Sequence, residues 1–338
     1  MENKHTTQHN IRLTSSEIGT LWTTYVNDSM STCVLSYFVN KVEDREISLV
    51  LEYALSLSKK HLERVTEILN HENHPVPIGF TEEDVNVNAP RLYSDVFFLN
   101  YIKLFSRLGL SYYGFLLHMV SRSDLRDFIA ECIASSTALS EKADNVLLEK
   151  GVYIRPPYIP VPESAEFIQK QSFLNGFFGD KRPLNAVEIT NIFANIMTNS
   201  LGKAAIIGFS QVAKTPAVKK YALRGADIAE KHVEVLSSKL RKEDIPAPTS
   251  YESDVMDSTA SPFSEKLIMY HISALSQASQ MSYGLAMGTC LRRDLGLDIA
   301  RLMAEISKYA EDGAEIMIDH EWLEKIPGAV ERRVLAST

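Results

Sequence analysis

Apolar and polar positions follow a helical period along this chain, and the pattern runs through twice. From Ile18 the apolar residues Leu21, Trp22, Tyr25, Val26, Cys33 and Tyr37 recur three and four positions apart, which puts them on one face of a helix. That stretch opens with Thr14-x-x-Glu17, and an equivalent stretch opens with Asn185-x-x-Glu188. Both are capping-box patterns, in which side chains satisfy the free amides of a first helical turn. A second helix is predicted from about Asp44 to Asn70, matched by one from Thr215-Pro216 to Leu240 with proline at its first position. A third covers about 92–120 and 263–289. The fourth starts near Asp124 and Asp294; in the first copy Leu125, Phe128, Ile129, Cys132, Leu139 and Leu147 mark its buried stripe before a stop at Gly151.

The two passes are a repeat. A shift of 171 residues lays Glu17-Ile18 on Glu188-Ile189, Phe38 on Phe209, Lys60-His61 on Lys231-His232 and Pro77 on Pro248. One deletion makes the shift 170, after which Tyr113-Gly114 falls on Tyr283-Gly284, Arg122 on Arg292, Asp124-Leu125 on Asp294-Leu295 and Glu141 on Glu311. A period this long implies that each copy is a domain with its own core. The expected organisation is a polar tail (1–12), a first bundle (13–150), a connecting strap (151–183), a second bundle (184–328) and a C-terminal tail (329–338).

Loop lengths choose the topology. Roughly three residues separate helices one and two, and roughly four separate helices three and four, so each pair forms an antiparallel hairpin. About twenty residues join helices two and three, and at about 3.3 Å each they outreach a 25-residue helix, which is about 37 Å long. Helix three can therefore run parallel to helix two. The expected fold is all-α: two tandem ferritin-like four-helix bundles, each with one long crossover between its second and third helices. The strap carries Pro156, Pro157, Pro160 and Pro162, which favour an extended chain, and then Phe167, Phe173, Phe177 and Phe178, expected to pack on the bundles and fix them together.

That fold invites a two-metal carboxylate site, and the sequence argues against one. The usual ligand set needs Glu-x-x-His on two helices, and the only such spacing here is Glu2 to His5 in the polar tail. The third helices have no acid from Val96 to Ser123 or from Lys266 to Arg293. Glu17 lies at one end of its bundle, with His61 about 14 Å and Glu141 about 27 Å along the axis, too far apart to meet on one ion. Asp28 has Asn199 as its counterpart in the second copy, another departure from a carboxylate set. His61 and His232, kept at the same place in both copies, remain the weak metal candidates, and equally suit a hydrogen-bonded polar anchor at the core edge. The glycines of Tyr113-Gly114 and Tyr283-Gly284 suggest close helix approach, and the Ser/Ala/Gly-rich stretch from Ser273 to Gly288 suggests tight packing. His271 aligns with Tyr101 and His118 with Gly288, so neither histidine has a counterpart.

Composition narrows the partners. The chain has 338 residues and a net charge of −8, which disfavours nucleic acid and anionic membrane surfaces. The most apolar stretch, Val96 to Val120, is interrupted by Lys103 and Arg107 and makes a poor membrane span. Arg292-Arg293 and Arg332-Arg333 are too short for a nucleic-acid patch and read as solvated. Cys33, Cys132 and Cys290 are scattered, with no metal or disulfide spacing, and read as small buried hydrophobes of a reducing, cytoplasmic protein. No phosphate loop, nucleophile elbow or zinc-protease motif is present.

The run RRDLGLDIARLMAEISKYAEDGAEIMIDHEWLEKIPGA from Arg292, the strap FFGDKRPLNAVEI and the segment GFSQVA resemble domain-of-unknown-function family 3231 of spore-forming bacilli. The first copy departs more, with SRSDLRDF for RRDLGLDI and GVYIRPP for EWLEKIP. The resemblance implies duplicated ferritin-like bundles and no catalytic residues. It also implies a spore setting, since some relatives carry spore-coat labels. The leading expectation is a non-enzymatic structural or interaction protein without a cofactor, whose partner is another protein or a second copy of the chain. Two alternatives stay open: a metal-binding or oxidase-like protein with a non-standard ligand set, and a binder of an unknown small molecule in an apolar pocket within a bundle or between the domains.

Overall fold

A computed structural model describes residues 11–177 and 181–335. Eight long helices fall four to each half: α1 (Ser15–Lys41), α2 (Arg45–His71), α3 (Asp95–Leu117) and α4 (Ser123–Glu149), then α5 (Ala186–Val212), α6 (Pro216–Arg241), α7 (Glu265–Thr289) and α8 (Arg293–Asp319). Short 3-10 turns at Glu82–Asp84, Gln171–Leu174 and Glu252–Asp254 and a last helical turn at Arg332–Leu335 accompany them. No helix among the described residues is long and apolar enough to cross a membrane. The helix starts follow their sequence signals. Thr14 and Asn185 accept the amides of Glu17 and Glu188 while those glutamates reach back to the cap amides, and Pro216 opens α6.

Each half is a four-helix bundle with a long crossover. The Asp95 carboxylate at the start of α3 accepts the backbone N–H groups of Glu43 and Asp44 at the start of α2. Glu265 holds Lys214 and Thr215 in the same way. Helices two and three of each half therefore begin at the same end and run parallel, as the reach of the connecting loop allows.

The two halves do not keep separate cores, contrary to the expectation from the repeat. One apolar core continues from Phe38, Tyr93, Phe98 and Tyr101 into Phe209, Phe263 and Ile268, and a smaller cluster around Leu21, Val65, Leu125 and Ile129 fills the far end of the first half. The crossovers make the seam. Val85 bridges Phe263 and Tyr93 bridges Val255 in antiparallel pairs. This pairing explains why α3 and α7 begin at Asp95 and Glu265, later than their apolar pattern predicts: Tyr93 and Phe263 are held as extended chain.

Reciprocal contacts give the seam an approximate two-fold symmetry. Ser264 donates its amide to the Asp84 carbonyl (2.9 Å) and its hydroxyl to the Asp84 carboxylate (2.6 Å). Ser94 makes the same two bonds to Asp254, at 2.9 and 2.6 Å. Each serine also caps its own helix by accepting the amide of Phe97 or Leu267. The Tyr93 ring enters a notch left by Gly208, where a Cβ would lie 2.4 Å from its hydroxyl, and donates to the Ala205 carbonyl.

The strap holds the halves less than predicted. Phe167 is 95% exposed and Phe177 is 52% exposed. Phe173 is half-buried beneath the Arg182 guanidinium, and Phe178 lies outside the described residues, as does most of the polar tail. The seam already covers the facing surfaces, which leaves the proline-rich chain extended over the outside. At its start Val152, Tyr153 and Ile154 pack on the core, and near its end Gly176 packs on the start of α8, where a Cβ would lie 2.3 Å from the Asp294 amide nitrogen.

Candidate functional site

Shared polar residues gather first at the end of each bundle. Glu17 is fully buried and accepts from Thr14, from Ser121 and from the Arg122 amide, so one carboxylate joins the start of α1 to the α3–α4 turn. Arg122 then reaches Glu72 at the end of α2 (2.7 Å) and Asp124 at the start of α4 (2.7 Å). The second half repeats this with Glu188 on the amides of Leu291 and Arg292, and with Arg292 on Glu243 (2.6 Å) and Asp294 (2.9 Å). Arg292 is therefore 4% exposed, not the solvated residue its sequence suggested, because three elements bring carboxylates to it. Arg293 and the pair Arg332-Arg333 are exposed.

The two candidate histidines sit at mid-bundle with different partners. His61 Nδ1 lies 3.2 Å from Asp28 Oδ2, and its Nε2 lies 3.6 Å from Cys132 Sγ. With the Asp28 carboxylate accepting from Nδ1–H, Nε2 is left to accept from the thiol. The order Asp, His, Cys is that of a nucleophilic triad. Burial, with Asp28 beside it, pushes the Cys132 thiol far up from its ordinary range, and the residue is fully buried. No thiolate is offered to a substrate in this arrangement.

His232 belongs to a directed chain. Asn199 Nδ2 donates to the Tyr283 hydroxyl (3.0 Å), which donates to His232 Nδ1 (2.8 Å), and Nε2 faces Glu305 at 3.3 Å. Burial lowers the His232 pKa, with Glu305 opposing, and the imidazole is fully buried. Neutral His232 thus accepts from Tyr283 and donates to Glu305, and every group finds a partner. Glu17 and Glu188 stay at the bundle ends, and Glu141 and Glu311 face solvent. Among the described residues no three His, Cys, Asp or Glu side chains form a group that could hold a metal.

Several sequence readings need correction. A Cβ at Gly114 or Gly284 would meet nothing within 4 Å, so these glycines do not mark close helix contacts. Gly288 is equally open, whereas Ala274 and Ala278 of the same α7 stretch line a cavity shared with the first half. Cys33 and Cys132 are buried, but Cys290 is only half-buried. The uncounterparted histidine His271 meets its own aligned residue: Tyr101 Oη lies 3.0 Å from His271 Nε2 across the seam. Burial pushes the His271 pKa down to about 3.

Mid-bundle volume separates the halves further. A cavity of about 200 Å³ lies beside Asp28 and His61, while the equivalent place in the second half holds about 20 Å³. Ser136 and Leu139 line the first; Ile306 and Tyr309 take their places in the second. Tyr309 stacks on Tyr221 with centroids 4.2 Å apart, each hydroxyl donating to the other residue's carbonyl. Gly225 and Gly313 make room for them: a Cβ would lie 2.1 or 2.2 Å from a tyrosine oxygen. The matching residues of the first half are Val50, Ala54, Leu139 and Ala143, which cannot build such a pair.

Comparison with known proteins places the repeat. The family model described as "Protein of unknown function (DUF3231)" matches residues 1–164 and again residues 172–335. The chain belongs to this family. No curated protein matches it. Among solved structures, one described as a "putative spore coat protein" from Bacillus halodurans C-125 is similar at 16% identity with a TM-score of 0.39, over 44% of this chain and 98% of that one. The two DUF3231 halves keep the same end clamps and the same seam contacts, and differ where charge and volume meet at mid-bundle.

Proposed function

We propose that this DUF3231 chain is a non-enzymatic structural or interaction protein, built from two ferritin-like bundles that arose by internal duplication. One observation carries the reading: the polar side chains shared by both halves bind the protein's own frame. Glu17 and Glu188 tie helix starts to turns, Arg122 and Arg292 gather carboxylates, and Asp84 and Asp254 hold serines of the opposite half. Catalysis needs such groups to converge where a substrate can reach them. The partner in this reading is another protein or a second copy of the chain. Phe115 and Leu285, equivalent positions on α3 and α7, support it, each being 65% exposed. Three free cysteines support a reducing cytoplasm, and the family resemblance supports association with the spore. The net charge of −8 speaks against nucleic acid.

Elemental analysis of protein made with iron and manganese supplied tests the reading. Substoichiometric metal is expected. Stoichiometric metal that disappears in His232→Ala, with the fold intact by circular dichroism, overturns it in favour of the metal-binding alternative.

A further inference from the structure

We propose that the mid-bundle cavity of the first half binds a small amphiphile: an apolar ring or short chain carrying a primary ammonium group, with Asp28 as the polar anchor. Size sets the class of ligand. A cavity of about 150 Å³ lined by aliphatic and aromatic side chains stays dry and takes up benzene. At about 200 Å³, the space beside His61 suits a ring with one or two further heavy atoms. Its walls include Tyr101, Ile102 and Phe105 of α3, which suit an apolar body.

Unmatched acceptors set the head group. Asp28 Oδ2 accepts a hydrogen bond from His61 Nδ1–H, while its Oδ1 has no hydrogen bond among the described residues. Thr24 stands one turn earlier on the same face of α1 and lines the same cavity. It is 1% exposed, and its Oγ1 is buried without a partner. An ammonium group brings three donors and a charge opposite to that of Asp28, which an alcohol or a hydrocarbon cannot match. The exposed residues Gln277 and Met281 of α7 line the solvent side, where a ligand of this size can enter.

The second half is an internal control. The residues around its 20 Å³ remnant occupy the same repeat positions, and Ile306 and Tyr309 fill the volume that Ser136 and Leu139 leave open. Asn199 replaces Asp28, and its amide is already bound to Tyr283. The second half therefore has no counterpart of this site, although its α7 supplies part of the wall. It is independent of the structural role proposed above, because a metal-free frame protein with an empty cavity would pass the elemental test and fail this one.

Titration calorimetry and ligand-observed NMR on the full chain test it, using benzylamine as the probe with toluene and benzyl alcohol as comparators. Saturable benzylamine binding is expected, weakened about tenfold or more in Asp28→Asn while toluene binding is unchanged. Ser136→Ile and, separately, Leu139→Tyr insert the second half's own residues, and each should abolish binding of all three probes with helical content preserved. Toluene binding as tightly as benzylamine in the unaltered chain overturns the ammonium assignment. Binding that survives both filling variants, or the absence of saturable binding by any probe, overturns the site.

Discussion

Replacing Glu17 by Gln isolates the work of a buried carboxylate at a bundle end. Its two oxygens accept five hydrogen bonds, from the amide and hydroxyl of Thr14, the amide and hydroxyl of Ser121, and the amide of Arg122. Burial by itself would raise its pKa, but those bonds outweigh it and bring the group from 4.5 down to about 2. At about 1.36 kcal/mol per pKa unit, that drop corresponds to about 3 kcal/mol of stability. The folded pKa lies below the unfolded one, so this stability is complete above about pH 5 and is lost as pH falls through about 2. Gln keeps the shape and one acceptor, but it turns an NH2 group toward backbone donors, which forfeits an amount of the same order. Urea unfolding of Glu17→Gln and the unaltered chain should therefore differ by about 3 kcal/mol at pH 7 and by only about half of that at pH 3, with equal m-values. Comparing the two proteins at each pH cancels the other carboxylates. A difference that stays the same at both pH values would show that charge is not what holds the turn. One below about 0.5 kcal/mol at pH 7 would remove the clamp from the account of the fold.

Further tests probe the seam and the second half. Gly225→Ala drives a methyl group against the Tyr309 hydroxyl and should cost about 2–4 kcal/mol in urea unfolding, much of it recovered when Tyr309→Leu is added, since the first half pairs Ala54 with Leu139. Equal loss in the single and double variants would refute the steric cause. Asp84→Ala and Asp254→Ala each strip a seam serine of its acceptor and should each cost about 1–2 kcal/mol, with faster hydrogen exchange at the amides of Asn86, Ser94, Met256 and Ser264; unchanged exchange would count against the seam as the joint. Burial holds His271 neutral with a pKa near 3, so the stability it lends is complete above the ordinary value of 6.5 and falls as pH drops below it. Nitrogen chemical shifts of its imidazole should report a neutral ring at pH 5, and a charged ring there would contradict the packing at the seam.

What the sequence made legible was local or arithmetic. The capping boxes at Thr14 and Asn185 depend on four consecutive residues, and the crossover topology depends only on how far twenty residues reach. What it hid depends on meetings between distant segments. Tyr93 and Phe263 read as helix because their apolar spacing continues into α3 and α7, but each bridges the other half's crossover instead. Arg292 read as solvated because Asp294, two residues on, gives no sign of burial by itself, and Glu243 reaches the guanidinium only when the end of α6 meets the start of α8. The repeat placed His61 and His232 at one bundle position, yet the partners of His232, Tyr283 and Glu305, lie on other helices and could not be assigned by spacing. The stacked tyrosine pair did leave a trace. Tyr221, Gly225, Tyr309 and Gly313 stand opposite Val50, Ala54, Leu139 and Ala143, an exchange of volume that becomes meaningful only when the two helices are known to touch.

The seam also bears on where the two halves differ. Asp84 with Ser264 and Asp254 with Ser94 are reciprocal, so a change at one position loses one of two equivalent bonds and leaves the other intact. At the symmetry axis the constraint is different. Tyr101 and His271 are equivalent positions that touch, so two identical halves would set a tyrosine against a tyrosine or an imidazole against an imidazole in a dry core. Joined in one chain, the halves can place a hydroxyl donor against a neutral imidazole acceptor there, a pairing that an exactly two-fold arrangement of one sequence forbids. Mid-bundle positions lie off that axis and carry no reciprocal duty. Asp28 against Asn199, Ser136 against Ile306 and Leu139 against Tyr309 alter charge and volume without touching the seam or the end clamps. A cavity can therefore open beside α1 and α4 with no equal in the second half, while the frame stays the same in both.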